Sequence, residues 1–328
     1  MNYEQFVSEY TKELQLSMKK ENIIMQRMEV QKINEKLDGL IIKYSDSDSP
    51  VAPTIYLADK FQLMKDGYAV REIVEKTAEM IRNGCSKTLK VSDFSLETAR
   101  KNLYLVVVNA KNNAELLMNV PHEKLEDLAV IARFRIGDGE SFIVRNEMCQ
   151  HLKMTSQEIL EQAHKNTDRQ EFQCTSIVDV IKKDMISQGM PQEYVDDLIE
   201  IQGIDCPFYV LTNKSKIEGA VAIASQPAME KAFEKVKEDY PEMKQMYVLG
   251  ASRHEILLAP DSRITNLEEL KIMHMQVQDT ELSVADKLSE HVYKYDGWSK
   301  KLSIADAPTL TENESSAKEV LKKHTKSH

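Results

Sequence analysis

Two short apolar runs separated by a small polar turn are the feature that most restricts how this chain can fold. The runs cover residues 246–249 and 256–259 in the stretch QMYVLGASRHEILLAP. Apolar runs of this length, broken by a short turn, are typical of neighbouring strands in one sheet. The turn carries the densest group of reactive side chains in the sequence, Ser252, Arg253, His254 and Glu255. We therefore expect a strand pair here, with a candidate site at the strand ends.

Length and composition bound the other possibilities. The chain has 328 residues, 42% of them hydrophobic, which is enough for one large domain or two ordinary ones with a sizeable core. Its formal net charge of −10 repels a phosphate backbone or an anionic membrane surface, and no basic patch compensates for it. The N-terminus lacks a secretory pattern, and the longest apolar run, 103–108, is too short to cross a bilayer. These features predict a cytoplasmic protein that binds neither nucleic acid nor membranes.

Cofactor and metal motifs are missing from the sequence. The cysteines at positions 85, 149, 174 and 206 are far apart and form no CxxC pair, so we expect small core residues. The sequence also contains no P-loop, no GxGxxG and no GxSxG elbow, which disfavours common nucleotide chemistry and serine-esterase chemistry. We therefore predict no cofactor and no metal site.

Apolar periodicity and turn residues predict an α+β fold, with mixed sheets flanked by helices in two lobes. The expected helices include 3–20, 70–82, 176–188 and 191–201. The expected strands include two within 23–44 joined by a turn at 36–39, then 103–108, 128–136, 141–145, 208–211, 219–224 and 298–304. The polar stretch 166–174 is the best domain boundary. This gives an N-terminal lobe 1–168, a C-terminal lobe 169–304 and a flexible tail 305–328.

Five stretches, taken in order, resemble an uncharacterised bacterial domain-of-unknown-function family found on conjugative and integrative elements of anaerobic Gram-positive bacteria. They are SPVAPTIYLADKF, NAELLMNVPHEKLEDLAVIARF, YVLTNKSKIEGAVAIA, LGASRHEILLAP and LSEHVYKYDG. The resemblance extends to about residue 302. It implies no activity, substrate or cofactor.

Four polar residues within these stretches are candidates for chemistry: His254, Glu255, Asp127 and His291. A hydrolase needs a carboxylate that orients a histidine and a histidine that moves a proton near neutral pH. However, adjacent residues of a strand point to opposite faces, so His254 and Glu255 form one pair only if a bulge re-aims one of them. The alternative is that His254 is a buried, hydrogen-bonded structural residue and Glu255 pairs with a cation.

Two functions remain open at this point. The first is a non-enzymatic accessory or protein-interaction protein of a mobile genetic element, with an unknown protein partner. The second is a hydrolase or nuclease-like enzyme whose site lies around His254, Glu255, His291 and Asp127. The first is favoured because cofactor loops, helical metal motifs and paired carboxylates at fixed spacing are missing. Convergence of the four residues in an open pocket would favour the second.

Overall fold

The computed structural model describes residues 1–45, 52–84, 95–137, 140–203 and 205–305. Its α-helices are α1 (Tyr3–Ser17), α2 (Leu57–Lys65), α3 (Val70–Gly84), α4 (Leu96–Asn102), α5 (Ala114–Leu117), α6 (Asn146–Leu152), α7 (Ser156–Thr167), α8 (Ile177–Ser187), α9 (Gln192–Gln202), α10 (Gln226–Asp239) and α11 (Leu267–Glu281). No helix within these ranges combines the length and the apolar character needed to cross a bilayer.

The strands form antiparallel sheets. They are β1 (Ile23–Gln31), β2 (Lys36–Tyr44), β3 (Thr54–Tyr56), β4 (Leu103–Asn109), β5 (His122–Leu125), β6 (Leu128–Gly137), β7 (Glu140–Ile143), β8 (Phe172–Ser176), β9 (Tyr209–Asn213), β10 (Gln245–Leu249), β11 (Ile256–Pro260), β12 (Val292–Asp296) and β13 (Lys301–Ile304). The first sheet has the order β1-β2-β3, the second β4-β6-β5 with β7 also on β6, and the third β13-β12-β10-β11-β9-β8. The predicted α+β class is confirmed, and each pairing among the described strands is antiparallel rather than mixed.

The predicted central hairpin is present. Strands β10 and β11 pair from Met246 with Pro260 to Leu249 with Leu257, and they occupy the middle of the six-stranded sheet. Val248 and Leu258 face each other in this register and are fully buried. Both strands are apolar because they lie in the core of the protein. The polar turn between them, 250–255, therefore lies at one end of the sheet.

The N-terminal unit comprises the first sheet with α1, α2 and α3. A capping box between Asn2 and Gln5 starts α1, and the i, i+4 spacing of Phe6, Tyr10 and Leu14 buries one face of that helix. The Tyr10 hydroxyl donates to Thr77 Oγ1 on α3 at 2.9 Å, so this polar group is satisfied inside the cluster. The apolar stripe predicted at 70–82 supplies the opposite wall of the same cluster.

The turn of the first hairpin differs from the prediction. Residues 36–39 belong to β2, and the connection is at 32–35. Asn34 adopts a left-handed backbone with φ of 64°, a conformation that asparagine tolerates. Gly39 is a residue of strand β2. A side chain does not fit at this position, because a Cβ there would lie 2.7 Å from the Thr54 side chain on β3. Close packing between strands, and not a turn, explains this glycine.

The tip of this hairpin is attached to the rest of the molecule. Asn34 and Asn113 exchange two hydrogen bonds of 2.7 Å each, through the Asn34 N–H and the Asn113 side-chain amide. The Asn34 side-chain amide also donates to the Lys287 carbonyl at 2.6 Å. Ile33 beside it is buried among residues of β4 and β6. The hairpin therefore holds the N-terminal unit against the second sheet.

A second correction concerns residues 219–224, which we expected to be a strand. They form a 3-10 helix, Gly219–Ala224, that packs on β9. A Cβ on Gly219 would lie 2.2 Å from Thr212 Oγ1 and 2.6 Å from the His254 carbonyl oxygen. The backbone approaches so closely here that only glycine fits, and the apolar residues after it are buried as a compact turn of helix.

The largest hydrophobic cluster contains residues from both sides of the expected boundary at 168, among them Leu105, Val130, Leu211 and Val248. The polar stretch 166–174 contains the start of β8, the edge strand of the third sheet. The division into lobes 1–168 and 169–304 stays a prediction. Of the tail predicted at 305–328, residues 306–328 lie outside the described ranges, as do Asp138 and Gly139 between β6 and β7.

Candidate functional site

His254 lies in the turn between β10 and β11, where the sequence predicted a site. Its Nε2 lies 3.0 Å from Asp286 Oδ1, and the Glu218 backbone N–H donates to its Nδ1 at 3.3 Å. A backbone N–H can only donate, so Nδ1 is the acceptor and Nε2 carries the proton that is donated to Asp286. The ring is about one-third exposed, at 34%. Both ring nitrogens are therefore engaged by the protein.

The Asp286 carboxylate is held by several neighbours. Burial raises its pKa, but hydrogen bonds from Ser283 and His254, together with the charge of Arg253, outweigh burial and leave the pKa below its usual value. Asp286 is thus a stable anion at neutral pH that fixes the orientation of the imidazole. The sequence predicted a site of His254 with Glu255, Asp127 and His291. Asp286 was not among the predicted residues. A pairing across 32 residues has no local sequence signal.

Asp127 has a different set of partners. It lies in the turn between β5 and β6, and its carboxylate accepts hydrogen bonds from the Ser289 hydroxyl at 2.8 Å and from the Tyr293 hydroxyl. Tyr293 is fully buried, and burial followed by the negative charge of Asp127 raises the pKa of its phenol. These bonds fasten the second sheet to the start of β12. Asp127 therefore connects the second sheet to the third.

The remaining two candidates make no catalytic arrangement with these groups. Glu255 is exposed, and the half-buried His291 donates its backbone N–H to Ser289 Oγ at 3.0 Å. Among the described residues, no hydrogen bond or ion pair joins any two of His254, Glu255, Asp127 and His291. Nor does any group of three or more His, Cys, Asp or Glu side chains within those ranges have the geometry of a metal site.

A cluster of buried charges lies next to His254, and we call it the arginine–glutamate cluster: Arg133, Glu218, Arg253 and Asp286. Arg133 Nη1 donates to Glu218 Oε1 at 2.9 Å. The Arg253 guanidinium lies 3.7 Å from Glu218 and 3.7 Å from Asp286. The side chains of Arg133, Glu218 and Arg253 are only 20%, 12% and 15% exposed. Buried charges of this kind are retained only when they compensate one another or a ligand.

Strand alternation positions this cluster. Val130, Ala132 and Phe134 of β6 face the largest hydrophobic cluster, so Arg133 and Arg135 project from the opposite face. Tyr104 of β4 lies directly opposite Arg133 in the sheet register, and the Arg135 guanidinium stacks over the Tyr104 ring at 5.0 Å. The apolar strand LAVIARFRIG carries two arginines at positions i and i+2. This pattern could have indicated the charged cluster from the sequence alone.

Glu218 has an unusual backbone for its position. Its φ of 55° is left-handed, a conformation that costs a non-glycine residue roughly 1–2 kcal/mol. The conformation aims its carboxylate between the two arginines and its N–H at His254. Strain of this kind persists where surrounding contacts outweigh it, and it is common at functional sites.

Two pockets meet at the arginine–glutamate cluster, and Arg133 and Ser141 line both. The larger, about 590 Å³, lies between the face of the second sheet and the loop 213–218. Within the described residues its charged lining residues balance: Arg133, Arg135 and Lys214 against Glu140, Glu171 and Glu218. The smaller, about 450 Å³, lies between the β1–β2 hairpin and β7, and we call it the hairpin cleft. Its lining includes four cations and one acid, Lys32, Arg133, Arg145, Arg253 and Glu35.

Helices α8 and α9 form a separate surface feature, which we call the helical hairpin. Helix α8 carries six large apolar residues in eleven positions, yet none of its residues is buried. Val180, Ile181 and Ile186 on α8 are 41%, 37% and 39% exposed. On α9, Tyr194 and Ile201 are 57% and 85% exposed. Large apolar side chains exposed to this degree on two neighbouring helices form an unusual apolar surface.

Comparisons with known proteins place the chain in a family but not in a functional class. A search of curated proteins and a search of solved structures each returned no match. A model of a protein family described as a family of unknown function, DUF5688, matches residues 3–297. This match includes the arginine–glutamate cluster, the hairpin cleft and the helical hairpin, and it confirms the resemblance to a family of unknown function. The chain therefore belongs to the DUF5688 family.

Proposed function

We propose that this protein is a non-enzymatic, cytoplasmic interaction protein that acts through the helical hairpin. The observation that carries the proposal is the exposure of the apolar residues of α8 and α9. Exposed apolar patches on a folded protein mark surfaces that bind other proteins. An accessory role on a mobile genetic element rests on the sequence resemblance alone.

The charge of the helical hairpin indicates the chemistry of its partner. Residues 177–202 contain six acidic residues and two lysines, and one of those lysines, Lys182, is already paired with Asp196 at 2.7 Å. A complementary partner presents apolar side chains flanked by Lys or Arg, as an amphipathic basic helix of another protein does. The same acidic surface repels nucleic acid and anionic lipid, which supports a protein as the partner.

The hydrolase alternative receives less support from the geometry. A general base needs a lone pair directed at the substrate, and the Nδ1 lone pair of His254 already accepts the Glu218 N–H. The Nε2 proton is donated to Asp286, so this ring holds the turn in place. A histidine with both nitrogens used by the protein is typical of a structural role.

The test is affinity capture from the native host with the parent chain and with an Ile181→Asn/Ile201→Asn double variant. Both residues are exposed, so the substitutions leave no cavity in the core. We expect a defined partner with a basic, apolar binding segment to be captured by the parent and lost with the double variant. Met80→Asn, at a 51% exposed position on α3, is the matched control and should retain the partner.

Two outcomes would contradict the proposal. One is equal capture of every specific partner by the parent and the double variant. The other is a His254→Gln variant that keeps its stability and partner but loses a hydrolytic activity shown by the parent.

A further inference from the structure

The hairpin cleft combines cations from all three sheets in one cavity. Lys32 comes from the tip of the β1–β2 hairpin, Arg133 and Arg145 come from the second sheet and the residues after it, and Arg253 comes from the turn after β10. Among the described residues of the lining, Glu35 is the single acidic one. The whole chain has a net charge of −10, so this cavity opposes the overall charge of the protein. A local reversal of charge inside a cleft concentrates anions there.

Arg253 is a residue of this cleft whose hydrogen bonding is incomplete. Its side chain is 15% exposed, and its Nε is buried without a hydrogen-bond partner. The nearest carboxylate oxygens, on Glu218 and Asp286, are 3.7 Å away, which is beyond hydrogen-bond distance. A guanidinium has five N–H donors in a planar fork, and leaving them unused in a buried position is costly.

Arg145 also has side-chain donors without an acceptor among the described residues. It is half-buried at the start of α6, and its side chain makes no ion pair or hydrogen bond with the rest of the described chain. Arg133 differs, because Glu218 and Ser141 already engage it. Two arginines lining one cleft therefore retain unused donors, and planar guanidinium groups suit the oxygens of a phosphate.

The neighbouring pocket provides an internal comparison. It is larger, but three acidic residues balance its three cations, and Glu218 already pairs with Arg133. Volume alone would favour that pocket as a ligand-binding site. The unused arginine donors and the excess positive charge favour the hairpin cleft instead. Tyr56 and Ile143 also line the hairpin cleft, and they provide apolar surface for the body of a ligand.

We propose that the hairpin cleft binds a small phosphate-bearing molecule, with phosphate oxygens accepting hydrogen bonds from Arg253 and Arg145 and a charge contact from Lys32. This inference is independent of the helical hairpin. Lys32 and Tyr56 belong to the N-terminal unit, whereas Arg145 follows the second sheet and Arg253 lies in the turn between β10 and β11 of the third. A bound ligand consequently links the N-terminal unit to the remainder of the protein and raises its unfolding temperature.

The experiment is calorimetric titration of the full chain with pyrophosphate, with adenosine monophosphate and with malonate at matched ionic strength. We expect saturable binding of at least one of the two phosphate compounds with Kd below about 1 mM, and weaker binding of the dicarboxylate. Arg145→Gln should weaken the binding about tenfold or more, because one charge-assisted contact is lost. Lys32→Gln should weaken it less, and Arg71→Gln, at an exposed pair on α3, should leave it unchanged.

Arg145 contacts no acceptor in the described part of the chain, so its variant is expected to fold, and circular dichroism before titration checks this. Lys32→Gln is a second test on a different element. No saturable binding of either phosphate compound would overturn the proposal, as would malonate binding as tight as theirs. Equal affinities for the parent, Arg145→Gln and Lys32→Gln would do so as well.

Discussion

Replacing Glu218 with glutamine tests whether the arginine–glutamate cluster stabilises the fold. The substitution keeps the shape of the side chain and an oxygen that accepts from Arg133, but it removes the negative charge. A hydrogen bond to a charged group contributes about 1.5–3 kcal/mol and a neutral one about 0.5–1.5 kcal/mol, so the Arg133 contact should weaken by about 1 kcal/mol.

Arg253 adds a second contribution. It loses one of the two carboxylates that lie 3.7 Å from it, and its side chain is 85% shielded from water. Removing one member of a fully buried pair costs about 3–5 kcal/mol. In Glu218→Gln, Asp286 remains beside Arg253, and no hydrogen bond of Arg253 is broken. We therefore expect the weakened contact with Arg253 to cost about 1 kcal/mol. We expect Glu218→Gln to lower the free energy of unfolding by about 2 kcal/mol in total.

Urea unfolding followed by far-ultraviolet circular dichroism measures this change, and a double-mutant cycle with Arg133→Met isolates the pair. The coupling energy between positions 218 and 133 should be about 1–2 kcal/mol. Glu97→Gln, which breaks an exposed pair with Lys101 on α4, is the control and should leave the midpoint unchanged. A change below about 0.5 kcal/mol with additive single effects would refute the reasoning.

His254→Ala should destabilise the protein by about 1–2 kcal/mol in urea unfolding, because Asp286 and the Glu218 N–H lose their partner; unchanged stability would count against the structural role. Asp286 has a lowered pKa, so its contribution is present above about pH 4 and is lost as the pH falls. The stability gap between the parent and Asp286→Asn should therefore shrink between pH 7 and pH 3, and a constant gap would contradict this. Tyr293→Phe should cost about 1–2 kcal/mol at pH 7. Because the Tyr293 pKa is raised, that difference should diminish above about pH 10, as paired urea titrations would show. Gly219→Ala should destabilise by about 1–3 kcal/mol or more, since its Cβ meets backbone atoms, and a neutral result would mean that this contact relaxes.

Local patterns in the sequence were sufficient for much of the fold. The stripe at 70–82 predicted a helix that is present, because apolar spacing acts over a few residues. The apolar runs around 246–259 likewise predicted paired strands. The errors came from glycines. Gly39 and Gly219 were interpreted through turn and strand propensity, whereas close packing against distant residues determines both positions.

The candidate site was harder to predict, because its charges meet only after the chain has folded. His254 was identified from its motif, but its partner Asp286 comes from a segment 32 residues away, and Arg133 comes from another sheet. Asp127 was identified as a polar candidate, yet its bonds go to Ser289 and Tyr293. Pairings of this range depend on topology, which a single sequence specifies only weakly.

The strand order of the third sheet has a consequence for how the protein is made. Strand β10 lies between β11, its immediate successor, and β12, and β13 closes the sheet at the edge farthest from β8. During synthesis the first sheet, whose strands are consecutive, can form as soon as about residue 56 has left the ribosome. The third sheet must wait for residue 304, and the edge of β10 that pairs with β12 stays unpaired until residues 292–296 have been made. Chaperone capture of nascent chains that end between β11 and β12 is therefore expected to exceed capture of the finished protein.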